Sequence, residues 1–241
     1  MSGRNRCVEP EVLDGLAAED PRAQRARRDL QRVHWVMRSA AILARAIAEL
    51  KLVEQPRRVL ELGAGDGTLL LNLARRLRPR WTHVELTLLD RVDLVSAQTR
   101  AAYAKLGWRV RVECADALDW AATVPARQYD LCIANLFLHH FPAPPLQQLL
   151  RATARASDAF VACEPRRDEL ARLGSRLIVV LGVNAVTRED AVKSVAAGFT
   201  HQDLTEAWSE ATDAWRTAEF PAWPFTHCFI AARVGPGSIL P

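Results

Sequence analysis

The segment Arg57-Arg58-Val59-Leu60-Glu61-Leu62-Gly63-Ala64-Gly65-Asp66-Gly67-Thr68 decides the fold. An apolar run, Val59 to Leu62, stops at alternating glycines, and Leu69, Leu73 and Leu77 then recur at helical spacing. Strand, tight turn and helix in that order predict the first βα unit of a nucleotide-binding α/β fold. Glycine lets the backbone take positive φ and lets a ligand approach without meeting a Cβ. The helix that follows opens with unpaired N–H groups.

Spacing narrows the ligand. Gly63, Gly65 and Gly67 read Gly-x-Gly-x-Gly, whereas a dinucleotide fingerprint needs Gly-x-Gly-x-x-Gly and position 68 is Thr. The Gly-Lys-Ser/Thr ending of a P-loop is absent. Glu61 and Asp66 add carboxylates, which suit a ligand that is cationic or rich in hydroxyls and amines better than a pyrophosphate.

Outward from this unit, apolar strands alternate with helices as far as Cys163. Val84, Leu86 and Leu88 mark a second strand ending at Asp90, and Val92 to Leu106 reads as a helix. Arg109 to Cys114 is a third strand followed by Asp116; Tyr129 to Ala134 is a buried fourth; Ala159 to Cys163 is a fifth, running into Glu164-Pro165. Pro79 stops the first helix and Phe141-Pro142 opens the one ending at Ser157. Trp215–Phe220 and Thr226–Val234 read as an antiparallel hairpin, with Trp208, Trp215 and Trp223 clustered there. The expected fold is α/β: a doubly wound, seven-stranded Rossmann-like sheet with its last strand antiparallel, helices on both faces and an N-terminal helical extension. Ligands in such sheets bind beyond the carboxyl ends of the strands, where Gly63–Gly67, Asp90, Asp116, Asn135 and Glu164 fall.

Ahead of this fold, residues 1–20 are weakly patterned, a short helix or a loose arm. Asp20-Pro21 starts a helix whose Leu30, Val33, Met37, Ala41, Ala44 and Ala48 recur at helical spacing, with a break near Arg38-Ser39. Residues 1–55 are therefore read as an N-terminal helical extension or lid and 56–241 as the ligand-binding domain. Within the latter, Arg167–Leu181 and Thr187–Ala197 read as helices, and 165–200 as a helical cover.

A net charge of +4 and pI near 9.0 are mildly basic, and nearly all the basic residues are arginine. The densest basic run, Arg22 to Arg32, holds Asp29 and no aromatics, so it reads as a solvated helix face and not a nucleic-acid surface. Cys7, Cys114, Cys132, Cys163 and Cys228 form no Cys-x-x-Cys pair, and no spacing suggests a bound metal. Four of them sit in strands, where buried reduced thiols are the default; a cytoplasmic location fits. No apolar run is long enough to span a bilayer, and no secretory leader is evident. A Tyr-x-x-x-Lys pair, expected of many NAD(P)-dependent reductases, is missing.

Glu61-x-Gly63-x-Gly65-x-Gly67, together with acids after the next two strands, resembles the class I S-adenosylmethionine-dependent methyltransferases over about Val59 to Val234. The resemblance implies S-adenosylmethionine as cofactor, held by Glu61, Gly63, Ala64, Gly65, Asp66, Gly67, Asp90, Arg91, Asp116, Ala117 and Asn135. Asp90 would receive the ribose hydroxyls, Arg91 would lie along the adenine, and Asp116 would take the adenine amino group. Asp93 is the expected cap of the following helix, which would leave Asp90 free. Asp119 competes with Asp116 and could instead cap a helix.

After the fourth strand comes Asn135-Leu-Phe-Leu-His139-His140-Phe141. The Asn/Asp-Pro-Pro-Tyr/Phe of DNA amino-methyltransferases and the Pro-Cys of cytosine C5 enzymes are both absent, which argues against nucleobase chemistry. The double histidine resembles small-molecule enzymes instead. His139 or His140 could take a proton as the methyl leaves sulfur; either could equally be a packing residue. A narrower resemblance, through Glu164-Pro-Arg-Arg, Leu181-Gly-x-Asn184-x-x-Thr187-Arg188-x-Asp190 and Phe225-Thr-His227, is to bacterial methyltransferases encoded beside type III polyketide synthases. It implies O- or C-methylation of a phenolic, polyketide-derived or quinol-like acceptor, with Arg166, Asn184, Arg188 and Asp190 holding its oxygens. The expected partner is thus a small aromatic or lipid-like molecule, with no nucleic acid and no membrane span; a homodimer is compatible with the sequence. RNA or protein methylation, or a non-catalytic cofactor-binding subunit of a biosynthetic complex, are the competing readings.

Overall fold

The computed structural model describes residues 6–78, 80–208 and 215–234, so the stop expected at Pro79 lies outside the described residues. A seven-stranded sheet runs in the order β3-β2-β1-β4-β5-β7-β6. Its strands are β1 (Arg58–Leu62), β2 (Glu85–Asp90), β3 (Arg109–Cys114), β4 (Leu131–Asn135), β5 (Ala159–Pro165), β6 (Trp215–Ala222) and β7 (Thr226–Arg233). The first five pair in parallel, and β7 runs antiparallel to both β5 and β6. Strand order reverses between β1 and β4, which leaves the crevice of a doubly wound sheet at their carboxyl ends.

Nine helices are described: α1 (Pro21–Val36), α2 (Ser39–Glu49), α3 (Thr68–Leu77), α4 (Ala97–Lys105), α5 (Ala117–Thr123), α6 (Ala143–Ala156), α7 (Glu169–Leu177), α8 (Ala185–Ala197) and α9 (Asp203–Trp208). Alternation along the strands splits the core into two layers. Val59, Ile133 and Val161 pack with Leu43 and Ile47 of α2 and Leu70 and Leu73 of α3. Leu60, Leu62, Cys132 and Phe160 pack with Trp120 of α5, Leu149 of α6 and Trp208 of α9. Each such apolar side chain contributes about 1.5–3 kcal/mol on burial, so the two layers hold the strand ends in fixed register.

Local signals place the helix ends. Asp20 accepts from Arg22 N at 2.7 Å and caps α1, with Pro21 as its first residue. Arg38 takes φ 56° and separates α1 from α2, where the break is expected. Three local expectations are corrected. Ser96, not Asp93, caps α4, accepting from Thr99 N at 3.0 Å. Cys114 is exposed, because it ends the outermost strand β3. Trp208 and Trp215 meet edge-on at 5.1 Å, but Trp223 sits at the exposed hairpin turn, 77% accessible.

The N-terminal arm is docked along the helical cover. Cys7 N donates to Ala196 O at 3.1 Å, and Arg6 Nε to Ala197 O at 2.9 Å. Val12 N and Leu13 N donate to the two oxygens of Asp190 at 2.7 and 3.0 Å. Asp29, fully buried, joins α1 to the start of α8 by accepting from Asn184 N at 2.8 Å. Among the described residues no helix is long and apolar enough to cross a membrane.

Candidate active site

The glycine loop follows from β1 and its neighbours. Gly63 has φ 68°, and a Cβ there would lie 2.1 Å from Phe137 Cδ2, so the loop and the segment after β4 touch only because position 63 has no side chain. Gly65 also has positive φ, but an added Cβ would meet nothing within 4 Å; it faces open space. That space is a cavity of about 690 Å³ at the crevice. Its floor is the carboxyl end of the sheet and its roof is α1, α7, α8 and the N-terminal arm.

Glu61, Gly63, Ala64, Gly65, Asp66, Asp90, Arg91, Asp116, Ala117 and Asn135 all line this cavity. Asp90 accepts from Gly65 N at 2.8 Å and Val92 N at 3.3 Å, so it is not free: it tethers the loop. Asp116 caps α5 by accepting from Leu118 N at 2.8 Å, the task expected of Asp119. Arg91 pairs with Asp14 of the arm at 3.2 Å. Asp66 accepts from Thr68 N at 2.9 Å and from Gln31 Nε2 of α1 at 2.5 Å, which ties the roof to the loop. Burial pushes the Glu61 carboxyl well up, and Asp66 and Asp90 push the same way. On the roof, burial holds His34 down at about 4 against the opposing pull of Asp66.

Three residues lining the cavity carry a buried polar atom without a partner, Glu61 Oε2 and Asn135 Nδ2 on the sheet side and Thr187 Oγ1 on the roof. An orphaned acceptor and an orphaned donor beside an open glycine fit a ligand with amines, hydroxyls and a carboxylate, as S-adenosylmethionine has. Gly67 does not line the cavity and is corrected to a structural role. It has φ 70°, begins α3, and its carbonyl accepts from Tyr103 Oη at 2.7 Å.

His139 and His140 lie in the 3₁₀ turn Leu138–His140, on the same cavity. Glu164, fully buried at the end of β5, accepts from Phe137 N and Leu138 N at 3.0 Å each, from His139 N at 3.4 Å, and meets His139 Nδ1 at 2.8 Å. His140 Nδ1 meets Phe137 O at 3.0 Å. Both Nε2 atoms face Glu11 of the arm, at 3.3 Å to Oε1 and 3.3 Å to Oε2. Burial lowers the His140 pKa, but Glu11, the Phe137 carbonyl and Asp14 outweigh it and raise it to about 9. For Glu11, burial is likewise overcome by the two histidines, and the carboxyl is held far below its usual range.

The four residues expected to hold substrate oxygens are not brought together. Arg166 is paired with Asp168 and donates to Pro224 O, outside the cavity. Asn184 caps α8 through Thr187 N at 2.9 Å, and its Nδ2 donates to Arg22 O. Arg188 lies on the exposed side of α8. Asp190 reaches the cavity, but both its oxygens hold the arm. Sequence reasoning missed Glu11, whose arm carries no periodic signal, and named Glu164 without its partners. The apolar stretch Leu177, Ile178, Val180 and Leu181 does line the cavity mouth, with Phe225 beside it.

Residues 59–158 match the family described as Methyltransferase domain. A 123-residue stretch, 47% of this chain and 39% of the relative, is 33% identical to malonyl-[acyl-carrier protein] O-methyltransferase of Halorhodospira halophila (strain DSM 244 / SL1). A 79-residue stretch, 33% of this chain and 31% of the relative, is 39% identical to tRNA1(Val) (adenine(37)-N6)-methyltransferase of Enterobacter sp. (strain 638). The matches thus span well under half the length of these curated relatives. The chain superposes on the plantazolicin methyltransferase BpumL, solved with S-adenosylhomocysteine, with a TM-score of 0.64 at 14% identity, over 89% of this chain and 91% of that one. A putative O-methyltransferase from Nostoc punctiforme PCC 73102 gives 0.60 at 16% identity, over 92% and 66%. Residues 59–158 thus carry a methyltransferase domain, and the chain around it has the fold of methyltransferases solved with S-adenosylhomocysteine.

Proposed function

We propose that this protein methylates a small molecule, at oxygen or at an activated aromatic carbon, on a phenolic, polyketide-derived or quinol-like acceptor. The observation that carries this reading is a single cavity joining the glycine loop to the His139–His140 turn. S-adenosylmethionine supplies an electrophilic methyl group on its sulfonium. The chain's own residues then have the tasks of binding, alignment and exclusion of water. Glu61 and Asn135 offer unpartnered polar atoms to the cofactor, and the oxygens of Asp90 and Asp116 line its wall. Leu177, Ile178, Leu181 and Phe225 give an aromatic or alkyl-bearing acceptor an apolar slot. Residues 1–55 act as a lid and 165–200 as the acceptor's cover. His139 and His140 stand where an acceptor hydroxyl can lose its proton, with Glu164 fixing the ring of His139.

The likeness to an O-methyltransferase acting on a carrier-protein-bound malonyl group supports methylation at oxygen. Relatedness to a tRNA methyltransferase favours RNA as a second reading, but that match covers 79 residues only. Titration with S-adenosylhomocysteine tests the proposal: micromolar binding is expected, and no binding at high micromolar concentration would sink it. Asp90→Ala should lose most of that binding, because the loop loses its tether at Gly65. His140→Ala should keep the binding and lower turnover on phenolic acceptors at least tenfold. Strongly salt-dependent binding of tRNA would favour the second reading.

A further inference from the structure

The contacts around His139 and His140 leave one group unexplained. Glu164 accepts backbone N–H groups from Phe137, Leu138 and His139, so its oxygens act there as acceptors. His139 must therefore present a proton on Nδ1, at 2.8 Å from Glu164. A carbonyl oxygen also only accepts, so His140 must present a proton on Nδ1 toward Phe137 O at 3.0 Å. With Nδ1 of each ring held by these partners, both Nε2 atoms are left facing the Glu11 carboxylate. That position is filled either by a proton on each ring or by one metal ion shared by the three groups.

We propose that Glu11, His139 and His140 bind a divalent transition-metal ion of the zinc type, with its remaining position open to the cavity. The three donor atoms lie within 4.8 Å of one another. Direct charge-assisted hydrogen bonds run at about 2.7–2.9 Å, and the His139–Glu164 contact at 2.8 Å is one. The two Nε2–Glu11 distances are instead 3.3 Å. With zinc–ligand bonds near 2.1 Å and tetrahedral angles, neighbouring ligand atoms stand about 3.4 Å apart. Carboxylate and carbonyl partners on the far ring nitrogens are the outer contacts that orient metal-bound histidines. Asp14, 3.9 Å from His140 Nε2, adds negative charge on the open side. An imidazole–carboxylate set of this kind suits zinc over magnesium or calcium. The site itself does not depend on the methyl-transfer reading; its role does. Under that reading, the open position takes the acceptor's oxygen and lowers its pKa.

The test uses full-length, tag-free protein stripped with chelator and titrated with Zn²⁺ alone against a chromophoric competitor, then with Co²⁺. One bound equivalent and visible d–d absorption from Co²⁺ are expected. Glu11→Gln and His140→Gln should each weaken zinc binding at least tenfold, and Glu189→Gln, on the exposed side of α8, should leave it unchanged. Circular dichroism checks that each variant folds. Less than one equivalent, or an affinity indifferent to Glu11→Gln and His140→Gln, overturns the assignment. So does nitrogen NMR showing both rings still protonated at both nitrogens, at neutral pH, after one equivalent of zinc. S-adenosylhomocysteine binding is measured in parallel. Its loss with zinc binding intact would count against the methyl-transfer reading and leave the metal site standing.

Discussion

Glu61 lies on an apolar strand, 2% exposed, with no partner for Oε2 among the described residues. Its folded-state pKa is raised above the ordinary value of 4.5, first by burial and then by Asp66 and Asp90. Between 4.5 and that raised value the folded protein holds a proton that the unfolded chain has lost, so stability falls as pH rises through this window. Glu61→Gln should therefore raise the melting temperature of the ligand-free protein at neutral pH, with the gain fading below the ordinary pKa. The same variant should weaken S-adenosylmethionine at least tenfold, because the carboxylate's charge toward a cationic ligand is gone. Thermal scans across pH and a parallel titration check both halves. Single residues were unevenly legible. Glu61 and the glycines stand out because an acid and alternating glycines interrupt an apolar run. Glu11 does not, because its partners lie more than a hundred residues away and nothing local marks it.

At the scale of elements, the arm and α8 form one unit through Asp190. Two hydrogen bonds from Val12 N and Leu13 N converge on its carboxylate, and bonds to a charged acceptor contribute about 1.5–3 kcal/mol each. Asp190→Ala should free residues 6–20, with protease cleavage there at least tenfold faster. It should also raise the acceptor's KM far more than the dissociation constant of S-adenosylhomocysteine; limited proteolysis and steady-state kinetics check it. The caps explain why the polar residues of 165–200 were misplaced as substrate ligands. Asn184 at a helix start and Arg166 beside Asp168 satisfy backbone and side-chain groups nearby. Residue type alone does not separate a cap from a ligand. α1 and its break at Arg38 were legible, because Asp-Pro and apolar spacing are local signals.

At the scale of the molecule, the parallel part of the sheet was readable because each strand is an apolar run closed by a turn or a proline. The closing hairpin was readable from Pro221 to Pro224. The strand ends that bear the site were readable too, but the pairing of β1 with β4, between segments about seventy residues apart, has no local signal. That adjacency brings Gly63 against Phe137 and sets the glycine loop next to the histidine turn. The roof follows from it: one continuous stretch, arm plus α1, reaches Glu11's histidines at one end and Asp66 at the other.

That roof has a kinetic consequence. Arg38, with its left-handed backbone, is the joint between α1 over the cavity and α2 buried in the core. A single covering stretch gives two reactants one gate. With one gate, the reactant against the glycine loop is expected to load first and depart last. Steady-state kinetics should accordingly be compulsory-order. S-adenosylhomocysteine should inhibit competitively against S-adenosylmethionine and non-competitively against the acceptor, and dead-end acceptor analogues should be uncompetitive against S-adenosylmethionine. Random-order patterns would mean that the two reactants have separate ways in.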